Sequence, residues 1–508
     1  MTEAEEFFGA GERASPAAHA ILDRLADVGL GYPGLFTKVV EQREPSPLWS
    51  GCPRLNPAKG GSLMSNCATQ RIRFETQSSL ALEAAFDGWR ITSDGGLVWL
   101  AKMDRELNVC EAIAEHVPEW RSESSVRHSL KALVRQRVYQ IACGYEDQDD
   151  SDFLRKDPLL KLVLGRLPQT EPDLASQPTI SRLENAPARG DCLRMARALG
   201  ELYIRQRAKE GTPSRILLDF DATDDPAHGE QEGTYYHGYY GTRIYHPLLV
   251  FDGETDQLIT AVLRAGNTHA SHGALAILKR IVGRLREAWP SVEIEIRADA
   301  GFAVPEIYDY CEREGIDYTI GLISNPRLEA IAQDLLERAK RESEEREGEK
   351  VRLISDASYQ AGTWEHARRV VYKAEVLEKG ENTRFVVSTR PDRPTELYDW
   401  YVRRGEAEGS IKDFKRALKA DRLSCMRFWA NQFRLLLHAC AYWLLDELRR
   451  RLVGAGIQRM QLDTLRLYLI KIGGRVRELL TRVRLHLASG HPGQRLWNAL
   501  APPSVTVS

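Results

Sequence analysis

Between residues 215 and 322 the spacing of apolar side chains changes several times, and the order of these changes constrains the fold more than any other feature. Runs rich in Ile, Leu, Val and Tyr, bounded by Gly and Asp, predict strands. Such runs occupy residues 215–221, 242–253, 257–266, 292–299 and 317–322. Amphipathic spacing predicts helices on either side of the fourth strand, over 273–289 and 305–315. We therefore expect an α/β unit around one sheet.

The order strand, strand, strand, helix, strand, helix, strand is that of an RNase H-like core. In that fold the first and fourth strands are parallel neighbours, so their carboxyl ends meet at the edge where open α/β sheets bind ligands. Asp221 ends the first predicted strand and Asp299 ends the fourth. Asp219 shares the face of Asp221, because side chains two residues apart on a strand point the same way, and it stays an alternative. Two carboxylates at this edge predict half of a metal site.

A third carboxylate is expected from an element that packs beside the strand ends. Phosphodiester cleavage gains from two divalent ions held by oxygen ligands, a role that suits Mg²⁺ or Mn²⁺. The predicted helix over 400–422 offers Glu408, with Tyr401, Arg404 and Lys415 at spacings of three, four and seven along nearly one line. The alternative is a solvated stripe of ion pairs, which the two glycines of this segment disfavour because glycine weakens a helix.

The same four residues match the Tyr-Arg-Glu-Lys signature of a large group of bacterial insertion-sequence transposases. The chain resembles the insertion sequence 1380 family within that group, from about residue 75 to 450. The further segments that carry this resemblance are LDFDATDDPAHGEQEGTYYHGYYG, IRADAGF, RQRVYQIACGYEDQDD and LASQPTISRLEN.

The resemblance implies an active site of the DDE type. Its acidic ligands, which hold two Mg²⁺ or Mn²⁺ ions, fall on Asp221, Asp299 and Glu408, with Asp221 favoured over Asp219 by the pattern Asp-x-Thr. The implied partners are transposon ends and target DNA, both double-stranded, bound by a homodimer. Contacts to phosphates fall on Tyr401, Arg404 and Lys415. Two alternatives are an RNase H-like nuclease without strand transfer and a transposase-derived DNA-binding protein without transposition.

The resemblance further implies a largely β insertion between the second Asp and the Glu. In some relatives a tryptophan of this insertion stacks on a base flipped from the duplex, and Trp364 is the tryptophan of this segment. A buried core tryptophan is the alternative, although stacking on a base contributes about 1 to 3 kcal/mol where it occurs.

Helical spacing after residue 75 predicts an all-helical DNA-binding domain. Its segment QPTISRLEN places Arg182 on a helix after a turn, as in half of a helix-turn-helix, with an ordinary helical hairpin as the alternative. The whole prediction is an α/β chain with an RNase H-like core interrupted by the insertion. Its parts are an N-terminal extension (1–75), the helical DNA-binding domain (76–209), the first part of the core (210–322), the insertion (323–398), the Glu-bearing part of the core (399–450) and a helical basic C-terminal region (451–508).

Charge and composition fit this prediction. The net charge of the 508 residues is −2, but residues 400–508 carry 20 Lys or Arg against 8 Asp or Glu, so basic residues are concentrated at one end. No apolar run approaches the roughly 18 residues of a membrane span, and the acidic N-terminus does not resemble a secretion signal. A cytoplasmic protein, associated with the nucleoid when on DNA, is expected. The eight cysteines form no Cys-x-x-Cys pair, so no structural zinc is expected.

Overall fold

The computed structural model describes residues 71–74, 82–88, 90–378 and 380–501. Within these residues the α-helices are α1 (Leu97–Leu107), α2 (Val109–Ala114), α3 (Leu130–Ala142), α4 (Ser151–Leu154), α5 (Pro158–Val163), α6 (Gln177–Asn185), α7 (Arg189–Lys209), α8 (Ala274–Ala288), α9 (Pro305–Glu314), α10 (Pro326–Glu345), α11 (Pro394–Val402), α12 (Arg404–Lys412), α13 (Phe428–Gly454), α14 (Leu462–Leu465) and α15 (Gln494–Leu500). The strands are β1 (Ile72–Phe74), β2 (Leu82–Ala84), β3 (Ile91–Thr92), β4 (Arg215–Ala222), β5 (Asp225–Pro226), β6 (Tyr235–His237), β7 (Thr242–Tyr245), β8 (Leu248–Asp252), β9 (Leu258–Val262), β10 (Glu293–Ala298), β11 (Asp317–Leu322), β12 (Val351–Tyr359), β13 (Arg368–Leu377), β14 (Gly380–Ser388), β15 (Gly474–Glu478) and β16 (Val483–Leu487).

The largest sheet has the strand order β12-β13-β14-β11-β10-β4-β8-β9. β10 lies between β4 and β11 and is parallel to both, whereas β8 and β9 are antiparallel to their neighbours. The strand and helix order expected for residues 215–322 is therefore present, with its first and fourth core strands side by side. β4, β8 and β10 are buried along most of their length, as is typical of strands covered on both faces.

Residues 242–253, expected as one strand, form two. Pro247 separates β7 from β8, because proline has no N–H to donate to a neighbouring strand. β8 joins β4 in the main sheet, while β7 pairs with β5 and β6 in a small sheet of its own. The hairpin β6–β7 is thereby tied, through β5, to the chain that leaves the end of β4.

The residues after β11, where the insertion is expected, continue the main sheet. α10 comes first and packs on β12 and β13. β12, β13 and β14 form an antiparallel meander, and β14 then pairs with β11, from Phe385 opposite Leu322 to Ser388 opposite Thr319. The strands of residues 323–398 and those of the core therefore belong to one sheet.

The long helix α13 is enclosed by other elements. Every residue from Ala430 to Asp446 is buried, which is typical of a helix covered all round. It contacts β9 of the main sheet and also α1 and α3. Neither α13 nor any other helix in the described residues is long and apolar enough to cross a membrane. α13 instead connects the N-terminal helices and the sheet in one core.

A separate all-helical domain over 76–209 is not supported. β2 and β3 fall within this range, and β3 pairs with β15 near the other end of the chain. α3 and α6 pack on α13, so they share the core that covers the sheet. The N-terminal extension expected over 1–75 lies outside the described residues, except for residues 71–74.

The C-terminal region, expected to be helical over 451–508, contains a β-hairpin. β15 and β16 pair antiparallel from Gly474 opposite Leu487 to Glu478 opposite Val483. Their sequences, GRVRE and VRLHL, alternate apolar and polar residues, and this period of two favours a strand over a helix. The prediction of a helical region was therefore wrong over these two strands, whose alternation is already present in the sequence.

Candidate active site

Asp221 and Asp299 lie at the ends of neighbouring parallel strands. Phe220 of β4 is opposite Ala298 of β10, so the next residue of each strand is an aspartate at the same edge of the sheet. Asp299 accepts a hydrogen bond on Oδ1 from the backbone N–H of Gly301, at 2.8 Å. Burial, reinforced by the carboxylates of Asp299 and Glu408, raises the pKa of Asp221 to about 6, against the opposing effect of Arg404. The two strands thus place negative charge together in a site largely shielded from water.

Asp219, the alternative to Asp221, has a different partner. Its two carboxylate oxygens accept hydrogen bonds from Nε and Nη2 of Arg297, each at 2.7 Å, and both side chains are buried. Nη1 of Arg297 also donates to the carbonyl oxygen of Trp400, at 3.2 Å, and its guanidinium lies 5.1 Å from the centre of the Trp400 ring. Asp219 and Arg297 therefore form a buried ion pair that supports α11 on the sheet.

The segment that carries Glu408 brings a cation against Asp221. Nη1 of Arg404 donates to Oδ2 of Asp221, at 2.8 Å, and its Nη2 lies 3.8 Å from Oε1 of Glu408. The Glu408 side chain is half exposed, at 50%, whereas those of Arg404 and Asp221 are 18% and 17% exposed. Arg404 therefore links the strand-end carboxylate to the glutamate of α12.

Tyr401 lies on α11 and faces the same strand ends. Its hydroxyl donates to the carbonyl oxygen of Ala298, at 3.2 Å, and burial raises the pKa of this phenol, so the hydroxyl stays protonated. The close approach depends on Gly321 of β11, because a Cβ atom there would lie 2.8 Å from the Tyr401 hydroxyl oxygen. Tyr401 thus packs α11 directly against the edge that carries Asp299.

Lys415 lies beyond the end of α12. The chain passes from α12 into a π-helical turn, Asp413–Ala417, so the four residues of the signature do not share one regular helix as the spacing predicted. Nζ of Lys415 donates to Oγ1 of Thr223 and to Oδ1 of Asp224, each at 3.0 Å. Lys415 therefore fixes the loop that follows Asp221.

The sequence identifies the family to which this arrangement belongs. Residues 74–502 match the family described as Transposase DDE domain group 1. The chain belongs to this family of DDE transposases. Among solved structures, the chain is similar to the piggyBac transposase in its cryo-EM synaptic complex with hairpin DNA, with 11% sequence identity over 79% of this chain and 82% of that chain, and a TM-score of 0.41. No curated protein matches the chain.

The carboxylates around Arg404 in this transposase are oxygen donors of the kind that divalent metal ions bind. Asp221 and Asp299 offer hard oxygen donors at adjacent strand ends, and Glu408 offers another beside Arg404, a set that suits Mg²⁺ or Mn²⁺. Within the described residues no three Asp, Glu, His or Cys side chains are grouped closely enough to hold an ion. The guanidinium of Arg404 supplies the positive charge beside Asp221 that a bound cation would also supply.

Trp364 and Arg182 make their contacts away from the residues that surround Asp221. Trp364 is only 6% exposed and packs edge-on against Tyr308 and Tyr359, with ring centres 5.5 Å apart, while the Arg368 guanidinium lies 5.2 Å from its ring. A ring enclosed in this way is not accessible to a base, so the structure favours the core role over base stacking. Arg182 is exposed on α6 and lines a cavity among the N-terminal helices.

The hairpin β6–β7 contributes aromatic residues that the sequence analysis did not single out. Tyr235, Tyr236 and Tyr239 are exposed, at 46%, 66% and 86%. Burial, together with the carboxylates of Asp224, Asp221 and Asp299, raises the pKa of Tyr240 to about 12. The sequence GTYYHGYYG indicates this feature, because a turn-rich segment with this many aromatic residues cannot bury all of them in a core.

Proposed function

We propose that this transposase binds the terminal inverted repeats of a bacterial insertion sequence and catalyses metal-dependent cleavage and strand transfer by a cut-and-paste route. The observation that carries the proposal is the convergence of Asp221, Arg404 and Glu408 beside Asp299. Asp221 is favoured as the first ligand because the carboxylate of Asp219 is already bound to Arg297 through both oxygens. The resemblance to the insertion sequence 1380 family supplies the type of element.

Asp221, Asp299 and Glu408 are the residues that would hold two Mg²⁺ or Mn²⁺ ions. Ions bound there would activate the attacking oxygen and stabilise the leaving oxygen of the phosphodiester. The pair of strand-end carboxylates is fixed by the sheet, and burial keeps bulk water from competing for it. The glutamate is half exposed on a helix, so it is the ligand whose side chain has the most freedom to adjust.

The neighbouring cations and the phenol are proposed to position the DNA. Arg404 presents a planar guanidinium at the edge of the site, a group that binds phosphate oxygens in pairs. Tyr401 is a positioning group and not a nucleophile, because its protonated hydroxyl is bonded to the Ala298 carbonyl. Lys415 holds the loop after β4 and contributes positive charge near the backbone of the bound strand.

The proposed partners are the two transposon ends and the target duplex, which a homodimer brings together in the bacterial cytoplasm. Two inverted ends must be processed in one event, and one active site for each end requires two copies of the chain. The basic excess over residues 400–508, 20 Lys or Arg against 8 Asp or Glu, provides charge for the phosphate backbone.

The test is cleavage of the element's own end DNA in the presence of Mg²⁺. We expect Asp221→Ala, Asp299→Ala and Glu408→Ala each to abolish cleavage and strand transfer while duplex binding persists. Glu396→Ala, which removes an exposed glutamate of α11, is the matched control and should cleave like the wild type. Full cleavage by any of the three variants would contradict that residue's assignment. Cleavage without joining in the wild type would favour a nuclease over a transposase that transfers strands.

A further inference from the structure

A cavity of about 780 Å³ lies among the N-terminal helices, between the loop before α3 and the start of α6. Asp173 is the acidic residue of its wall, whereas several arginines line it. These are Arg121, Arg127, Arg155, Arg166 and Arg182. Such an excess of positive charge around a concave space attracts an anionic ligand. None of these residues belongs to the cluster around Asp221.

Two of the arginines shape the cavity wall. Arg121 pairs with both carboxylate oxygens of Glu119, each at 2.7 Å, and donates to the carbonyl oxygen of His128, at 2.7 Å. Arg166 donates to Nδ1 of His128, at 2.8 Å, and to the carbonyl oxygen of Pro172, at 3.2 Å. Their hydrogen bonds hold the loops in place, so these guanidinium groups are largely occupied.

The other three arginines have donors to spare. Within the described residues, the guanidinium groups of Arg127 and Arg182 form neither an ion pair nor a hydrogen bond, and both side chains are exposed at the cavity. Nε of Arg155 is buried without a hydrogen-bond partner, and its Nη2 lies 3.8 Å from Oδ2 of Asp173. A buried N–H without an acceptor is costly, and an oxygen of a bound ligand would satisfy it.

The start of α6 adds two hydroxyl groups to the same wall. Ser176 precedes the helix and its hydroxyl makes no capping hydrogen bond, and Thr179 lines the cavity one turn later. The backbone N–H groups of this helix start are already used, because Gln177 donates to the Asp152 carboxylate and Thr179 donates to the Ser176 carbonyl oxygen, so the hydroxyls are the donors that remain. Free arginine donors and these two hydroxyl groups therefore converge on one space.

Two further residues of the cavity wall indicate which kind of ligand it would bind. Burial first, and then the nearby Arg166, Arg121 and Arg127, lower the pKa of His128 to about 4, so this imidazole is neutral at pH 7. Trp120 contributes an aromatic ring to the wall, with the guanidinium of Arg121 at 4.8 Å from its centre. Arginine beside an aromatic ring is the combination that binds single nucleotides, through phosphate contacts and base stacking.

We propose that this cavity binds one unpaired nucleotide of a DNA strand, with its phosphate held by Arg127, Arg155 and Arg182 and its base against Trp120. The volume lies within the range of about 300 to 1,000 Å³ for small-ligand pockets, so it suits a nucleotide and is too small for a duplex. This inference depends on the proposed function in one respect, which is that the protein binds DNA. It assigns to the N-terminal helices a contact with unpaired DNA, separate from cleavage.

The experiment measures binding of fluorescein-labelled hexathymidylate by fluorescence anisotropy in EDTA, so that metal ions do not contribute. dTMP, inorganic phosphate and a blunt 20-base-pair duplex are the competitors. The variants are Arg127→Ala with Arg182→Ala, and Trp120→Ala. Arg313→Ala, which removes an exposed arginine of α9, is the control for loss of an arginine.

We expect the double arginine variant to raise the Kd for hexathymidylate about tenfold or more, while Arg313→Ala binds like the wild type. Trp120→Ala should weaken competition by dTMP but not by phosphate. Unchanged binding by the double variant would overturn the proposal, as would stronger competition by the duplex than by dTMP. Equal competition by phosphate and dTMP would overturn the base contact.

The proposal and the proposed function can fail separately. If the carboxylate variants still cleave end DNA but the arginine variant loses the oligonucleotide, the active-site assignment is wrong and the cavity assignment stands. If the carboxylate variants lose cleavage and the arginine variant binds normally, the active-site assignment stands and the cavity assignment is wrong.

Discussion

Asp219 and Asp221 share one face of β4, but their carboxylates have different surroundings. Asp219→Ala would leave Arg297 charged and buried without its partner, which costs about 3 to 5 kcal/mol. Asp221→Ala also leaves Arg404 without its partner, but it removes a carboxylate that burial disfavours, and the Arg404 side chain is 18% exposed and can reach water. We therefore expect it to cost less, about 1 kcal/mol. Urea unfolding followed by circular dichroism measures both.

The same pair of variants distinguishes a structural from a catalytic aspartate. Asp221→Ala should keep a near-native unfolding midpoint and lose end-DNA cleavage. Asp219→Ala should lower the midpoint, and any activity that it retains should fall in proportion to the folded fraction. Equal destabilisation by both substitutions would show that the Asp219–Arg297 pair does not support the fold as inferred.

His128 is expected to make stability depend on pH. Its folded pKa of about 4 is below the usual value near 6.5, so the unfolded chain binds a proton that the folded chain releases. The stabilising effect is present above pH 6.5 and is lost as pH falls toward 4. His128→Asn keeps an acceptor for Arg166 without titrating, so its melting temperature should fall less than that of the wild type between pH 7 and 4.5. Parallel declines would contradict the assignment.

At the scale of elements, Arg449 joins the end of α13 to the π-helical turn that carries Lys415. It donates to Oδ1 of Asp446, at 2.6 Å, and to the carboxylate of Asp413 in that turn, and its side chain is 3% exposed. Arg449→Ala would leave two carboxylates buried without a cation and should cost about 3 to 5 kcal/mol. Cleavage should also fall, because the turn that positions Lys415 loses its support.

Arg450, the next residue, is the matched control for Arg449. It pairs with Glu210 at the surface and its side chain is 27% exposed, so Arg450→Ala should cost at most about 1 kcal/mol. Thermal unfolding of the two variants, followed by end-DNA cleavage at 25 °C, tests the difference. Similar midpoints for both would mean that the buried contacts of Arg449 do not connect α13 to the turn.

Local patterns explain which elements the sequence could predict. The strands and helices of residues 215–322 follow from spacing within each segment, and Asp299 and Asp221 follow from their positions at strand ends. The ion pair of Asp219 with Arg297 joins residues 78 positions apart, so no local pattern separates Asp219 from Asp221. By contrast, Pro247 between β7 and β8 and the apolar–polar alternation of β15 and β16 are local patterns, from which these strands could be predicted.

At the scale of the molecule, the sheet does not end where the core was predicted to end. The resemblance implied an insertion, but sequence spacing could not show that β14 pairs with β11. This pairing joins residues far apart in the chain, such as Ile320 and Val387, which are 67 positions apart. The same non-local pairing places α10 and α11 on the sheet and brings α11 over Arg297. The segment is therefore expected to contribute to the stability of the active site.

Excision of residues 326–388 tests this dependence. A flexible linker of about six residues can join the flanking chain, since an extended residue spans about 3.3 to 3.6 Å. The excision would expose the edge of β11 and would remove Arg368, which pairs with Glu312 of α9. We therefore expect aggregation and loss of the cooperative thermal transition. Replacing the exposed residues 346–350 with glycine and serine is the control and should preserve both. Size-exclusion chromatography and circular dichroism distinguish the outcomes, because an independently folded insertion would leave a monodisperse core with the wild-type melting temperature.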